Sequence, residues 1–111
     1  MYKILIVEDD PVIASSLARQ LTRWNYEATY VQEFDHVMQE FEKAQPDLVL
    51  MDITLPYFSG YYWCAEIRKI SRVPVLFLSS ASDDMNLIMA INMGADDFIA
   101  KPFKFEVVLA K

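Results

Sequence analysis

The stretch YKILIVEDDPVIASSL, residues 2–17, contains the signals that decide the fold. The apolar run Tyr2–Val7 has the length of a strand, and its hydrophobicity is continuous rather than alternating. Such runs are typical of strands buried on both faces of a parallel sheet. Asp10 followed by Pro11 predicts a helix start, because Asp caps a first turn and Pro fits the first helical position. The order of strand, acidic residues and helix is typical of a βαβ unit.

Four more apolar runs of strand length follow along the chain, at Ala28–Val31, Leu48–Met51, Val75–Leu78 and Phe98–Ala100. Helical spacing of apolar residues separates the runs. The residues in question are Ile13, Leu17, Leu21 and Trp24, then Val37, Met38 and Phe41, then Trp63, Cys64, Ile67 and Ile70. Strands that alternate with helices predict an α/β fold with a five-stranded, doubly wound parallel sheet.

The composition excludes several classes of protein. Apolar residues make up 54% of the 111 residues, which is enough for a hydrophobic core and excludes intrinsic disorder. The formal net charge of −6 argues against binding a polyanion, because nucleic-acid affinity depends mainly on Lys and Arg contacts to phosphates. With only two glycines, the chain lacks the Gly-rich loops of dinucleotide-binding and Walker-type ATP-hydrolysing proteins.

The sequence also indicates where the protein is located. Cys64 is the single cysteine, which excludes an internal disulfide and favours a reduced, cytoplasmic setting. The first apolar run is too short for a signal peptide, and no stretch approaches the ~20 apolar residues of a membrane span. We therefore expect a cytoplasmic protein that does not insert directly into a membrane.

Polar side chains follow the predicted strands at their carboxyl ends, where sites form in doubly wound sheets. Glu8 and Asp9 follow the first strand, Asp52 the third, Ser79 the fourth and Lys101 the fifth. Clustered carboxylates repel one another and need a cation, and an all-oxygen ligand set without His or Cys suits Mg²⁺. A carboxylate beside Mg²⁺, a Lys and a hydroxyl can attack phosphorus, because the cations neutralise the charge that develops on the phosphoryl oxygens. The pattern therefore predicts an aspartyl phosphate.

Four motifs occur in order on this frame: IVEDD at 6–10, MDITLPYFSG at 51–60, PVLFLSSAS at 74–82 and GADDFIAKPF at 94–103. With them the sequence resembles the receiver domain of bacterial two-component response regulators over essentially its whole length, and a flavodoxin-like, CheY-like fold is implied. The pairing of the last motif with LSS and LPYFSGYYWC is similar to the OmpR/PhoB-type regulators. The YYWC block is similar to their branch that responds to envelope stress and antimicrobial peptides, such as bacitracin resistance regulators.

The resemblance implies a role for each polar residue of the site. Asp52 is implied as the phosphoacceptor. Asp9, Asp52 and the backbone carbonyl of Thr54 are implied as Mg²⁺ ligands, with Glu8 in the same pocket and bound through water. Turnover would be limited to Mg²⁺-dependent self-phosphorylation and slow dephosphorylation, so the domain is not expected to be an enzyme.

Three further residues are implied to transmit the signal. Ser79 would hydrogen-bond the phosphoryl group as the switch hydroxyl, and Lys101 would pair with it. Phe98 is implied as the switch aromatic, which would turn toward the core when Ser79 moves.

A sensor histidine kinase is the implied phosphoryl donor, and transcription control is the implied output. Residues 1–111 would form the receiver domain, and the apolar pattern of a fifth helix has barely begun when the sequence ends. We therefore expect a truncated fifth helix and a C-terminal winged-helix domain beyond Lys111, which alone would contact promoter DNA. One alternative is a stand-alone receiver that acts through protein contacts. Another is an Mg²⁺-dependent phosphatase with an Asp nucleophile, although Thr54 occupies the position where such enzymes place a second Asp.

The resemblance also implies a symmetric dimer of phosphorylated receivers through the fourth helix, the fifth strand and the fifth helix. The residues that fall on this surface are Leu87, Ile88, Ile91, Asp97, Val107, Ala110 and Lys111. Because most of the fifth helix is missing, we expect the 111-residue chain to be mainly monomeric.

An aromatic block follows Asp52 and has two interpretations. Its members are Tyr57, Phe58, Tyr61, Tyr62 and Trp63. Some are expected to anchor the core, and one or two could instead form an exposed docking rim for the partner kinase. Cys64 is expected to pack in the core. The single histidine, His36, is expected to be exposed at the start of the second helix without a catalytic or metal-binding role.

Overall fold

A computed structural model describes residues 2–53, 55–79 and 97–100, of which Ser79 and 97–100 are described by their backbone alone. Strands and helices alternate through the described chain. They are β1 (Lys3–Val7), α1 (Pro11–Arg23), β2 (Glu27–Tyr30), α2 (Val37–Ala44), β3 (Leu48–Asp52), α3 (Gly60–Arg68), β4 (Val75–Ser79) and β5 (Asp97–Ala100). The predicted fourth and fifth helices lie outside these residues.

Helix α1 begins as the sequence predicts and ends earlier. The Asp10 carboxylate accepts the backbone N–H groups of Val12 at 3.0 Å and Ile13 at 3.4 Å, and Pro11 is the first helical residue. Trp24 does not continue the buried stripe, because the helix ends at Arg23 and the Trp24 side chain is 62% exposed. Asn25 adopts a left-handed backbone with φ of 68°, which turns the chain away from the helix axis.

Helix α3 shows the same difference at its end. Ser59 caps its start, with the Ser59 hydroxyl accepting the Tyr62 N–H at 3.3 Å. The helix ends at Arg68, so Ile70 lies in the turn that follows and is 57% exposed rather than buried. His36 stands at the start of α2 and is exposed, as expected from the sequence.

The five strands form one parallel sheet in the order β2-β1-β3-β4-β5. This order confirms the predicted doubly wound α/β sheet, because β1 lies between β2 and β3 and the chain crosses it after β2. Strand β2 is Glu27–Tyr30, one residue earlier than its apolar run, although Val31 is still buried. Tyr2 precedes β1 and is exposed, since it lies outside the paired residues.

The core lies on both faces of the sheet. On one face, alternate residues of the central strands pack with α2 and α3; the buried members include Leu5, Val7, Val49, Met51, Val75, Phe77, Val37, Phe41, Trp63, Cys64 and Ile67. On the other face, the residues between them pack with α1; the buried members are Ile4, Ile6, Leu50, Leu76, Leu78, Ala14, Leu17 and Leu21. Each buried Val, Leu, Ile, Met or Phe side chain in these layers contributes roughly 1.5–3 kcal/mol by burial, so the two layers hold the strand ends in fixed positions.

Cys64 is fully buried in the first layer, which agrees with its expected place in the core. Within the described ranges, no helix is both long and apolar enough to cross a membrane.

Candidate functional site

Strand register brings two acidic residues to one edge of the sheet. Val7 pairs with Met51, so the next residues along the two parallel strands are Glu8 and Asp52. Both side chains are buried, with 2% of Glu8 and 6% of Asp52 exposed, whereas Asp9 is exposed. Carboxylate oxygens of Glu8, Asp9 and Asp52 all lie within 4.8 Å of one another. We call this group the acidic pocket.

The acids after β1 divide into two roles. Asp10 caps α1, and its carboxylate therefore faces the helix. Glu8 accepts the Asp10 backbone N–H at 3.2 Å, which fixes the buried carboxylate next to Asp52. Asp9 is left as the exposed member of the pocket.

The loop between β3 and α3 starts and ends at the pocket. Ile53 donates its backbone N–H to Leu78 of β4 at 3.2 Å, and its carbonyl accepts the Gly60 N–H at 2.8 Å. A Cβ atom at Gly60 would lie far inside contact with the Asp52 carbonyl oxygen and 3.0 Å from Met51 Cγ. Only glycine allows α3 to start this close to Asp52, and the sequence has no local signal for this role because it depends on a tertiary contact.

The electrostatics of the acidic pocket favour a cation. Three carboxylates at this separation repel one another, and two of them are removed from solvent. An all-oxygen donor set fits a hard divalent ion such as Mg²⁺ or Ca²⁺. These residues could therefore hold a metal ion.

A second group of possible ligands lies before and at the start of α2. The possible ligand atoms of Glu33, Asp35 and His36 also lie within 4.8 Å of one another, but all three side chains are exposed. His36 Nδ1 lies 2.9 Å from Asp35 Oδ1, an arrangement that solvent screens. Nothing in this geometry distinguishes it from an ordinary polar surface.

The structure separates the aromatic block into buried and exposed members. Trp63 is buried in the core, and the Tyr61 ring packs edge-on against Phe77 with 5.2 Å between centroids. Tyr57, Phe58 and Tyr62 are exposed.

Several predicted site residues cannot be placed beside the acidic pocket. Ser79 ends β4, and Phe98 in β5 pairs in register with Phe77. The residues outside the described part, or described by backbone alone, are Thr54, Ser79, Leu87, Ile88, Ile91, Asp97, Phe98, Lys101, Val107, Ala110 and Lys111. Their assigned roles remain predictions.

The structure defines a doubly wound α/β domain with buried acids at the carboxyl edge of its sheet, and comparison with known proteins specifies the family. Residues 4–111 match the response regulator receiver domain. The chain is 50% identical to the "Uncharacterized transcriptional regulatory protein YvcP" of Bacillus subtilis (strain 168), covering 100% of this chain and 47% of that protein. It is 45% identical to the "Sensory transduction protein BceR" of the same strain, covering 100% of this chain and 48% of that protein.

Among solved structures, the N-terminal domain of the nisin resistance regulator NsrR is 52% identical, with a TM-score of 0.91 and coverage of 99% of this chain and 93% of that one. The BeF3-activated receiver domain of Klebsiella pneumoniae RstA is 35% identical, with a TM-score of 0.92 and coverage of 97% and 92%. Both confirm the predicted receiver fold, and the first confirms the similarity to antimicrobial-peptide regulators.

The chain belongs to the response regulator receiver domain family. It is a receiver domain of a two-component response regulator, and domains of this family interact with sensor histidine kinases. The chain spans about half the length of the curated relatives it matches.

Proposed function

We propose that this chain is a phosphorylation-dependent switch in which Asp52 accepts a phosphoryl group from a sensor histidine kinase. The observation that carries the proposal is the acidic pocket, in which the buried Asp52 carboxylate lies within 4.8 Å of the carboxylates of Glu8 and Asp9. Family membership supports it, because these acids lie in the motifs that carry the resemblance.

The transfer forms one bond and breaks one. An Asp52 carboxylate oxygen attacks phosphorus and forms an O–P bond. The N–P bond to the donor's imidazole breaks, its electron pair stays on the ring nitrogen, and that nitrogen takes a proton from solvent. Bound Mg²⁺ would supply positive charge that offsets the negative charge of the phosphoryl oxygens.

The chain's own residues prepare this attack. The parallel register fixes Asp52 at the end of β3, and burial of its carboxylate excludes most of the surrounding water. Asp9 and Asp52, with the Thr54 carbonyl and Glu8 through water, would hold the ion. Repulsion among the acids makes the pocket ready for a cation and unfavourable for an anion until the cation binds.

We further propose how the signal leaves the site. The added phosphoryl group would draw Ser79 and Lys101 inward, and Phe98 would turn toward the core. The parallel pairing of β4 with β5 supports this route, since Ser79 and Phe98 lie on adjacent strands.

The output is proposed to be transcription. The relatives are about twice as long as this chain, and YvcP is named a transcriptional regulatory protein. A C-terminal DNA-binding domain and a cytoplasmic location follow from this proposal. The receiver itself is acidic, so promoter DNA would be bound only by the second domain.

We expect Asp9→Asn to slow phosphorylation by acetyl phosphate and weaken Mg²⁺ binding about tenfold or more, because it removes a charged ligand. Asp10→Asn is the matched control. It removes the same charge one residue away, keeps the helix cap because Asn also caps well, and changes no pocket ligand. Mg²⁺ titrations and phosphorylation rates, read by intact mass with and without EDTA, make the comparison. Equal phosphorylation rates for the two variants would mean that Asp9 is not a metal ligand. Full labelling in EDTA would mean that phosphorylation does not need a metal ion.

We also expect the phosphorylated protein with its whole fifth helix to dimerise through the surface that includes Leu87, Ile88, Ile91, Asp97, Val107, Ala110 and Lys111. Ile88→Asp should abolish this dimer, because it would bury an unpaired charge. Ile70→Asp is the control, since Ile70 is exposed after α3. Sedimentation velocity would contradict the proposal if the Ile88→Asp protein dimerised as tightly as wild type.

A further inference from the structure

Three exposed aromatic side chains lie between β3 and the first turns of α3, and we call them the aromatic rim: Tyr57, Phe58 and Tyr62. The Phe58 and Tyr62 rings are stacked, with centroids 4.3 Å apart and planes 18° apart. Both rings also meet the buried Trp63 edge-on, at 5.5 Å and 4.9 Å. The exposed pair is therefore fixed to the core and presents a rigid apolar surface.

Tyr57 has a backbone conformation that its side chain makes unfavourable. Its φ is 69°, in the left-handed region, which has a conformational cost for a bulky L-residue. The Tyr57 side chain is 74% exposed, so packing within this chain offsets little of that cost. Gly would fit the same turn without strain. A Tyr side chain held outward at this cost points to a contact with another molecule.

The rim lies close to Asp52 because the loop returns to it. Gly60 contacts the Asp52 backbone. Tyr57 is three residues before Gly60, so the Cα atoms of Tyr57 and Gly60 are at most about 11 Å apart. An ordinary protein interface covers ~800 Å² per partner, which corresponds to a disc of about 16 Å radius. An interface of this size that is centred over Asp52 extends as far as the loop that carries Tyr57.

We propose that the aromatic rim is the docking surface for the protein that donates the phosphoryl group, the sensor histidine kinase, and this inference rests on the proposed function. The occupant presents apolar side chains beside its phosphohistidine, and these would pack on the stacked Phe58 and Tyr62 rings. Its outer residues are basic, because the chain carries a net charge of −6 and the acidic pocket adjoins the rim.

Two variants separate docking from folding. Tyr57→Gly removes the side chain and relieves the strained backbone, so the protein should stay as stable or become more stable. Phe58→Ser combined with Tyr62→Ser removes the stacked pair. Trp24→Ser is the matched control, since Trp24 is an exposed aromatic residue at the far end of α1.

The donors are acetyl phosphate and an autophosphorylated kinase core, chosen from a panel as the one that phosphorylates the wild-type chain fastest. For each rim variant we expect kcat/KM for transfer from the kinase to fall about tenfold or more, mainly through KM, as for loss of an interface anchor. Labelling by acetyl phosphate should be unchanged, and Trp24→Ser should behave as wild type with both donors.

Unchanged kinase transfer in both rim variants overturns the inference. An equal loss with both donors also overturns it, because the rim would then support the pocket rather than the partner. Altered sedimentation of the phosphorylated chain with normal kinase transfer would assign the surface to a second copy of this chain instead. Failure of acetyl phosphate and of every kinase in the panel to label the wild-type chain would overturn the proposed function, and this inference with it.

Discussion

Asp52→Asn is expected to abolish phosphoryl uptake from acetyl phosphate and from a kinase, because the amide oxygen has neither the charge nor the nucleophilicity of the carboxylate. The substitution should leave the fold intact, since Asn has nearly the same volume at this buried position. Intact-mass measurement in the presence of Mg²⁺ gives the uptake. Asp35→Asn, on the exposed surface before α2, should label as wild type.

The same variant also reports the charge balance of the acidic pocket. Like charges about 4 Å apart repel by ~1 kcal/mol in water and by ~4 kcal/mol at an effective dielectric of 20. Without Mg²⁺, Asp52→Asn should therefore be more stable than wild type, and added Mg²⁺ should stabilise wild type more than the variant. Thermal melts of both proteins in EDTA measure the difference in stability, and melts in Mg²⁺ measure how much the ion stabilises each protein. A variant that is less stable than wild type in EDTA would mean that the pocket acids are compensated by other groups.

Gly60→Ala is expected to have the second large effect, on folding and on the pocket together. The new Cβ would overlap the Asp52 carbonyl oxygen, a backbone atom at the end of the central strand β3, which has little freedom to move. The start of α3 would have to shift, and with it the buried Trp63 and Ile67. We expect a loss of about 3 kcal/mol or more in the free energy of unfolding, at the upper end of overpacking effects.

Ser59→Ala separates this clash from a simple weakening of the helix start. It removes the cap to the Tyr62 N–H and should cost only about 0.5–2 kcal/mol. Urea denaturation compares the two variants, and Mg²⁺ titration of the folded Gly60→Ala protein should show weaker binding. A Gly60→Ala protein as stable as wild type would mean that α3 can move away from β3 without loss.

Local patterns predicted much of the fold because the central strands are apolar on both faces. The Asp10–Pro11 pair correctly marked the start of α1, and the continuous apolar runs correctly marked β1 and β3 as strands of a parallel sheet. The ends of helices were less predictable. The apolar spacing through Trp24 extends past the true helix end, because the left-handed Asn25 terminates α1 and periodicity does not detect that turn.

The acidic pocket was also predictable in part, because the sequence shows which residues follow each strand. Parallel strands that end in acids place those acids at one edge of the sheet, so Glu8 and Asp52 could be brought together from the sequence. The close approach of Gly60 to Asp52 and the left-handed φ of Tyr57 depend on the path of the loop in three dimensions. Spacing along the chain contains no signal for either.

The central claim is that Asp52 accepts the phosphoryl group, and the most direct test is to locate that group on the wild-type chain. The chain is phosphorylated by acetyl phosphate in Mg²⁺, treated with borohydride to trap acyl phosphates by reduction, digested, and sequenced by mass spectrometry. We expect one modified residue, Asp52, and none in a parallel sample that contains EDTA. Modification at Asp9, Glu8 or any residue outside the pocket, with Asp52 intact, would contradict it.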